Sequence, residues 1–198
     1  VYKRQLAALA LAASVAALIA VFRGSGVRLF ARGSVLALAA CALCAAVFTP
    51  SDRLATMLTK ARGGDLTFYA ESEGGTVAVV AQSSGENRFK RLYIQGVSNS
   101  GDAMTSLRYM RLQAMLPLII HRGTPRSALV IGLGTGITGG ALLPYPGLEH
   151  RVVAELIPAV VHAAPQFKGN YGVSTDPRME IRLHDGRREL LRNPQHYD

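Results

Sequence analysis

The sequence predicts an α/β protein: a nucleoside-holding β-loop-α-β unit, preceded by a small antiparallel β domain and two apolar helices. Three observations predict it. Residues 128–155 read ALVIGLGTGITGGALLPYPGLEHRVVAE, a short apolar run, a glycine cluster at Gly132, Gly134 and Gly136, a helix-compatible segment, and a second apolar run ending on Glu155. Upstream, residues 66–71, 76–82 and 88–94 are β-prone runs parted by turn-forming Glu73-Gly74-Gly75 and by residues 83–87, SSGEN. At the front lie two long apolar runs, 6–22 and 29–48.

Residues 6–22 are 17 in number and uncharged, at the lower edge of what spans a bilayer. Residues 29–48 supply 20 more, interrupted by Arg32, whose side chain can snorkel to an interface. Together they predict a transmembrane helical hairpin over residues 1–50, the last spans of a larger membrane domain, with a bacterial inner membrane as the expected location. A signal peptide would not be followed by a second apolar span, and a buried soluble pair would show polar faces at helical spacing. The density of alanine and other small residues suits close helix packing in lipid. Arg23, Arg28 and Arg32 on one flank balance Arg53, Lys60 and Arg62 on the other, so the orientation stays open. Cys41 and Cys44 form C-x-x-C inside the second run with no His or acid beside them, and read as small packing residues. VYKRQ at the start is set apart as a cloning or sequencing remnant, and the chain reads as a fragment open at both ends.

Thr49, Pro50, Ser51 and Asp52 stop one helix and restart another over 52–62. With the β-hairpins this makes a linker helix and small β domain over 51–102. Residues 96–102, GVSNSGD, read as a polar loop, and 103–116 as a helix whose Met104, Leu107, Met110 and Met115 face a core. Residues 103–198 form the nucleoside-binding domain, cut short at its C-terminal end. Pro158 opens a helix running to 164, and Gly186 opens another to 192 with Arg187, Arg188 and Arg192 on its solvated face.

Charge narrows the partners. The net charge is +9, but Lys3, Arg4, Arg23, Arg28 and Arg32 precede residue 51 without any acid, leaving 17 bases against 13 acids in the remainder. No strong basic face is implied, so nucleic acid is not an expected partner. His121, His150, His162, His184 and His196 show no H-x-x-x-H or H-E-x-x-H pairing, so no metal is assigned.

Glycine spacing separates the candidate ligands. A dinucleotide fingerprint, G-x-G-x-x-G, needs a small residue at Ile137; the sequence instead gives G-x-G-x-G with a further Gly139. The unit is therefore Rossmann-like but of the S-adenosylmethionine-dependent methyltransferase type, suited to an adenosyl sulfonium or thioether. Glu155 lies 23 positions after Gly132, near the roughly 20-residue offset at which an acid accepts from ribose hydroxyls. Asp185 stands at the end of a strand over 179–184, where it can serve as a ligand-reading carboxylate, as the N-cap of the following helix, or as both.

The order of these parts, joined to L-P-L-x-x-H at 116–121, H-D-G at 184–186 and a terminal Tyr197-Asp198, resembles the spermidine synthase family of polyamine aminopropyltransferases, most closely its membrane-fused bacterial type. The resemblance covers about residues 66–198. It implies that Gly132, Gly134, Thr135 and Gly136 form the loop around decarboxylated S-adenosylmethionine, that Glu155 holds the ribose, and that Asp185 with Gly186 reads the adenine amine. Gln95 and Asp102 fall at the substrate mouth. The implied reaction is direct displacement, in which a carboxylate deprotonates a polyamine amine that attacks the aminopropyl carbon and releases methylthioadenosine. The family's catalytic aspartate would lie a few residues past Asp198, so no catalytic residue is assigned. A homodimer is among the expected partner arrangements.

Three departures accompany the resemblance. Thr135 stands where the family usually carries an acid in the glycine loop. Gln95, Gly96 and residues 98–100 replace D-G-x-x-Q, and Arg111, in the segment from Tyr109, replaces an acid that would hold a polyamine. An arginine there repels an ammonium. Two other readings follow: a methyltransferase-like protein binding S-adenosylmethionine itself, and a membrane-attached nucleoside sensor without turnover.

Overall fold

The computed structural model describes residues 2–23, 29–48, 50, 53–72, 74–192 and 197–198. The chain divides into two compact units, residues 1–56 and 57–198. In the first, α1 (Tyr2–Arg23) and α2 (Leu29–Phe48) pack against each other. Their alanine- and leucine-rich sequences carry high helix propensity. No helix among the described residues is long and apolar enough to cross a membrane, so the expected transmembrane hairpin is not supported. Arg28, Thr49, Ser51, Asp52, Glu73 and His196, with the side chains of Arg23, Arg32 and Arg192, lie outside the described residues. Cys41 and Cys44 are both free and exposed.

Within the second unit, α3 ends at Arg62 (α3 is Arg53–Arg62) and is followed by β1 (Asp65–Ser72), β2 (Gly75–Ser84), β3 (Asn87–Ile94) and β4 (Val97–Gly101). These form one antiparallel sheet in the order β1-β2-β3-β4. The polar loop expected at 96–102 is instead mostly strand. Gln95 and Gly96 both take positive φ, 51° and 76°, a two-residue turn that reverses the chain so tightly that Val97 pairs directly with Ile94. As an edge strand with a mostly exposed face, β4 carries no apolar alternation to betray it. Helix α4 (Met104–Ile120) runs past Pro117, where the sequence predicts a stop, because Leu118 and Ala114 bury the same face of the helix.

The second sheet is parallel, β5 (Ser127–Ile131), β6 (His150–Glu155), β7 (Glu180–Leu183), in that order. The helices between and after are α5 (Ile137–Gly140), α6 (Pro158–Ala163) and α7 (Gly186–Arg192). The segment after the glycine cluster gives only four helical residues, since Gly139 and Gly140 hold helix poorly and Pro144 and Pro146 follow. Val77, Val79 and Leu92 of the antiparallel sheet share one core with Leu133, Leu142, Val153, Val160 and Val173. Burying each such side chain contributes about 1.5–3 kcal/mol. Segments 57–102 and 103–198 are therefore one folding body.

Candidate nucleoside site

The site lies where parallel strands end, the usual place for a ligand in an open α/β sheet. Gly132 N donates to Ala154 O at 2.8 Å, extending the β5–β6 ladder by one bond before the chain turns. Leu133 N then donates to Glu155 Oε2 at 2.7 Å, and Ile157 N donates to Glu155 Oε1 at 2.9 Å. Glu155 is only 6% exposed. Its carboxylate thus braces the glycine turn against the start of α6. A carboxylate offers about four lone pairs, so two remain for ribose hydroxyls.

Gly136 closes the turn as the N-cap of α5, with φ of 79°. A side chain there is strained by the backbone, and a Cβ would stand 2.6 Å from Val173 Cγ1. Beyond β7, Asp185 Oδ1 accepts from Arg187 N at 2.7 Å, capping α7. Among the described residues Oδ2 has no hydrogen-bond partner, which leaves it open to a donor from a ligand. Ile131, Gly132, Glu155, Leu156, Asp185, Gly186 and Leu190 line a common cavity of about 350 Å³. Its acids stand on the rims of adjacent strands while Ile131, Leu156 and Leu190 supply flat apolar contact of the kind a purine takes.

Other sequence-derived positions lie elsewhere. Thr135 is 2% exposed, and its hydroxyl donates to Met110 Sδ at 3.5 Å, turned into the core rather than toward a ligand. Gly134 and Gly136 shape the turn without lining the cavity. Gln95 is exposed in its tight turn, its side chain against Gly75. Asp102 accepts from Lys90 N at 2.6 Å and from Lys168 N at 3.0 Å, and lines a different cavity. The two mouth residues are thus not brought to the nucleoside cavity: one is spent on a turn, the other on backbone amides. Arg111 donates from Nη2 to Gly169 O at 3.2 Å, and its guanidinium lies 5.2 Å from the Tyr171 ring centroid.

Several residues that build the site carry no signal in the sequence. Asn170 Nδ2 donates to Thr135 O at 3.1 Å and to Ala164 O at 2.8 Å, stapling the glycine turn to the end of α6. Buried Arg151 donates to Leu142 O and Tyr145 O at 3.0 and 2.7 Å, satisfying carbonyls after α5; burial holds its pKa below the usual arginine value. Ser100 and Asn99 of β4 approach Gly134, where a Cβ would meet Ser100 Oγ at 3.3 Å. Below Asp185, Glu189 is 3% exposed and accepts from Arg182 Nη1 and from Tyr197 OH, with His184 Nε2 at 2.9 Å from its other oxygen. Arg182 also grips Glu180 at 2.7 and 2.9 Å, which raises its pKa further. Asp198 Oδ2 accepts from the backbone amides of Arg126 and Ser127, and those bonds hold its carboxyl below the usual range.

No protein-family model matches the chain. The polyamine aminopropyltransferase of Nitrosomonas europaea is 47% identical over 74 residues, 36% of this chain and 22% of the relative. Polyamine aminopropyltransferase 2 of Pseudomonas aeruginosa is 30% identical over 109 residues, 54% of this chain and 31% of that one. The aminopropyltransferase of Aeropyrum pernix is 31% identical over 124 residues, covering 61% and 38%. The chain thus spans well under half the length of these relatives. Among solved structures, the spermidine synthase of Thermotoga maritima has a TM-score of 0.58 at 20% identity, covering 67% of this chain and 45% of its own. A spermidine synthase in complex with the transition state analogue AdoDATO gives the same figures. The fold is shared with these enzymes.

Proposed function

We propose that this chain carries the nucleoside-binding part of a spermidine-synthase-like aminopropyltransferase, which moves an aminopropyl group from decarboxylated S-adenosylmethionine to a polyamine. The observation that carries the reading is the single cavity in which Gly132, Glu155, Asp185 and Gly186 meet at the ends of parallel strands. Similarity to three polyamine aminopropyltransferases supports it. Glu155 takes the ribose hydroxyls on its two remaining lone pairs, and Asp185 Oδ2 accepts from the adenine amine. A polyamine nitrogen attacks the aminopropyl carbon, the C–S bond breaks, methylthioadenosine leaves, and the amine proton passes to a carboxylate. The protein contributes position and proton removal, because a sulfonium is already a good leaving group.

Two observations favour S-adenosylmethionine itself as a second reading. Arg111 is held in place by Gly169 and Tyr171 where an acid would bind a polyamine, and Thr135 offers no carboxylate to the donor's amine. Calorimetry on the intact protein with methylthioadenosine, decarboxylated S-adenosylmethionine and S-adenosylmethionine separates the two. Tighter binding of the decarboxylated donor, followed by aminopropyl transfer to putrescine, supports the first; tighter binding of S-adenosylmethionine moves the reading to a methyltransferase-like protein. Binding of none overturns both.

The reading extends to attachment at a bacterial inner membrane through α1 and α2. Exposed Leu9, Leu11, Leu36, Leu38 and Leu43 support it. Release of the protein into the supernatant at alkaline carbonate would overturn it.

A further inference from the structure

A second cavity, of about 690 Å³, shares no lining residue with the nucleoside cavity. It is built by the loop after α3, the β2–β3 hairpin and the segment after α6. Four cations line it, Arg62, Arg88, Lys90 and Lys168, against two carboxylates, Asp65 and Asp102. Asp102 is already committed. Its two oxygens accept the backbone N–H groups of Lys90 and Lys168, at 2.6 and 3.0 Å, which fixes both lysine backbones on the same wall. None of the four cations is paired with a carboxylate among the described residues. Lys90 Nζ donates to the neutral amide oxygen of Gln166 at 3.2 Å, which leaves its charge uncompensated.

The wall carrying Arg62 is held deliberately close. Gln82 Nε2 donates to Arg62 O at 3.0 Å, and Gly64, with φ of 90°, lies so near β2 that a Cβ would stand 2.2 Å from Ala81 O. Without these two contacts the loop would lift off the sheet and carry its cation away. Four like charges gathered in a concave setting repel one another and raise the local concentration of counter-anions.

From this geometry we infer an anion site in the small β domain for a phosphate-bearing ligand of at least two negative charges. Arginine forks suit phosphate oxygens, and the lysines add compact charge. The chemistry is shared by a soluble di- or polyphosphate and by the headgroups of anionic lipids. The inference is independent of the reaction proposed for the other cavity.

The test uses the intact protein and inorganic pyrophosphate as the probe, titrated calorimetrically at low salt. Arg88→Glu/Lys168→Glu reverses two exposed charges without touching the core; circular dichroism and methylthioadenosine binding check that the fold is unchanged. Saturable pyrophosphate binding, weakened at least about tenfold by the double substitution, is the expected result. In parallel, phosphatidylglycerol vesicles are compared with phosphatidylcholine vesicles. A preference for the anionic vesicles that the double substitution removes assigns the site to headgroups; pyrophosphate binding without that preference assigns it to a soluble phosphate. Absence of both, or survival of both after charge reversal, overturns the site.

Discussion

Replacing Glu155 probes stability and binding together. Its two oxygens accept amides at 2.7 and 2.9 Å from opposite sides of the site. In Glu155→Gln the shape is kept, but one oxygen becomes an NH₂ group that faces a backbone N–H. One charge-assisted bond is lost outright and the other loses its charge, at about 1.5–3 kcal/mol for a bond to a charged group, so a stability loss of about 2 kcal/mol is expected. Glu155→Ala strands both buried amides and leaves a void, for about 4 kcal/mol. Affinity for methylthioadenosine falls as well. Losing an ionised ribose acceptor costs about 2 kcal/mol, roughly thirtyfold in Kd. The assay is urea unfolding with and without methylthioadenosine, alongside calorimetry on the folded protein. Wild-type stability in Glu155→Gln would refute the brace, and wild-type affinity would refute the ribose role; each can fail without the other.

Four further outcomes follow from the same structure. Asp185→Asn keeps the cap on α7, because asparagine caps well, but presents an amide to the adenine amine; about tenfold weaker methylthioadenosine binding with unchanged Tm is expected. Gly136→Ala meets both a left-handed backbone and Val173 Cγ1 at 2.6 Å, and should lower stability by about 2–4 kcal/mol in urea unfolding. Arg182→Met removes the principal cation from buried Glu189 and should cost about 3 kcal/mol, measured by thermal unfolding at neutral pH. Asp176, gripped by Arg178 through Nε and Nη2, has its carboxyl lowered from 3.8 to about 2. A depressed folded pKa stabilises above the unfolded value and is lost as pH falls through the folded one. Wild-type unfolding midpoints should therefore drop more steeply between pH 4 and 2 than those of Asp176→Asn.

Much of this fold is legible in sequence because its signals are local. The turn-bounded β-prone runs of β2 and β3, the apolar run into Gly132, Pro158 at the start of α6 and Gly186 at the start of α7 each state their own element. So does the offset that sets Glu155 opposite the glycine turn. What escaped is non-local or masked. Strand β4 is an edge strand of polar residues whose existence depends on the backbone sign at Gln95 and Gly96. Thr135 reads as a loop residue until the fold turns its hydroxyl onto Met110. Asn170, Arg151 and Glu189 bind partners 35, 9 and 7 residues away, so no pattern within one element announces them. Asp102 lies in the 96–102 segment that the resemblance places at the mouth, whereas its partners come from β3 and from the segment after α6.

The core shared by the two sheets has a consequence for how this protein can be cut and recombined. Val77, Val79 and Leu92 find their packing partners on helices and strands encoded after residue 132. A gene fusion that grafts residues 57–102 onto another scaffold would export strands whose inner face is bare and sticky, while the remainder would lose a wall. Recombination at that junction should yield insoluble halves, so crossovers that survive selection would keep the whole stretch together as a single heritable block.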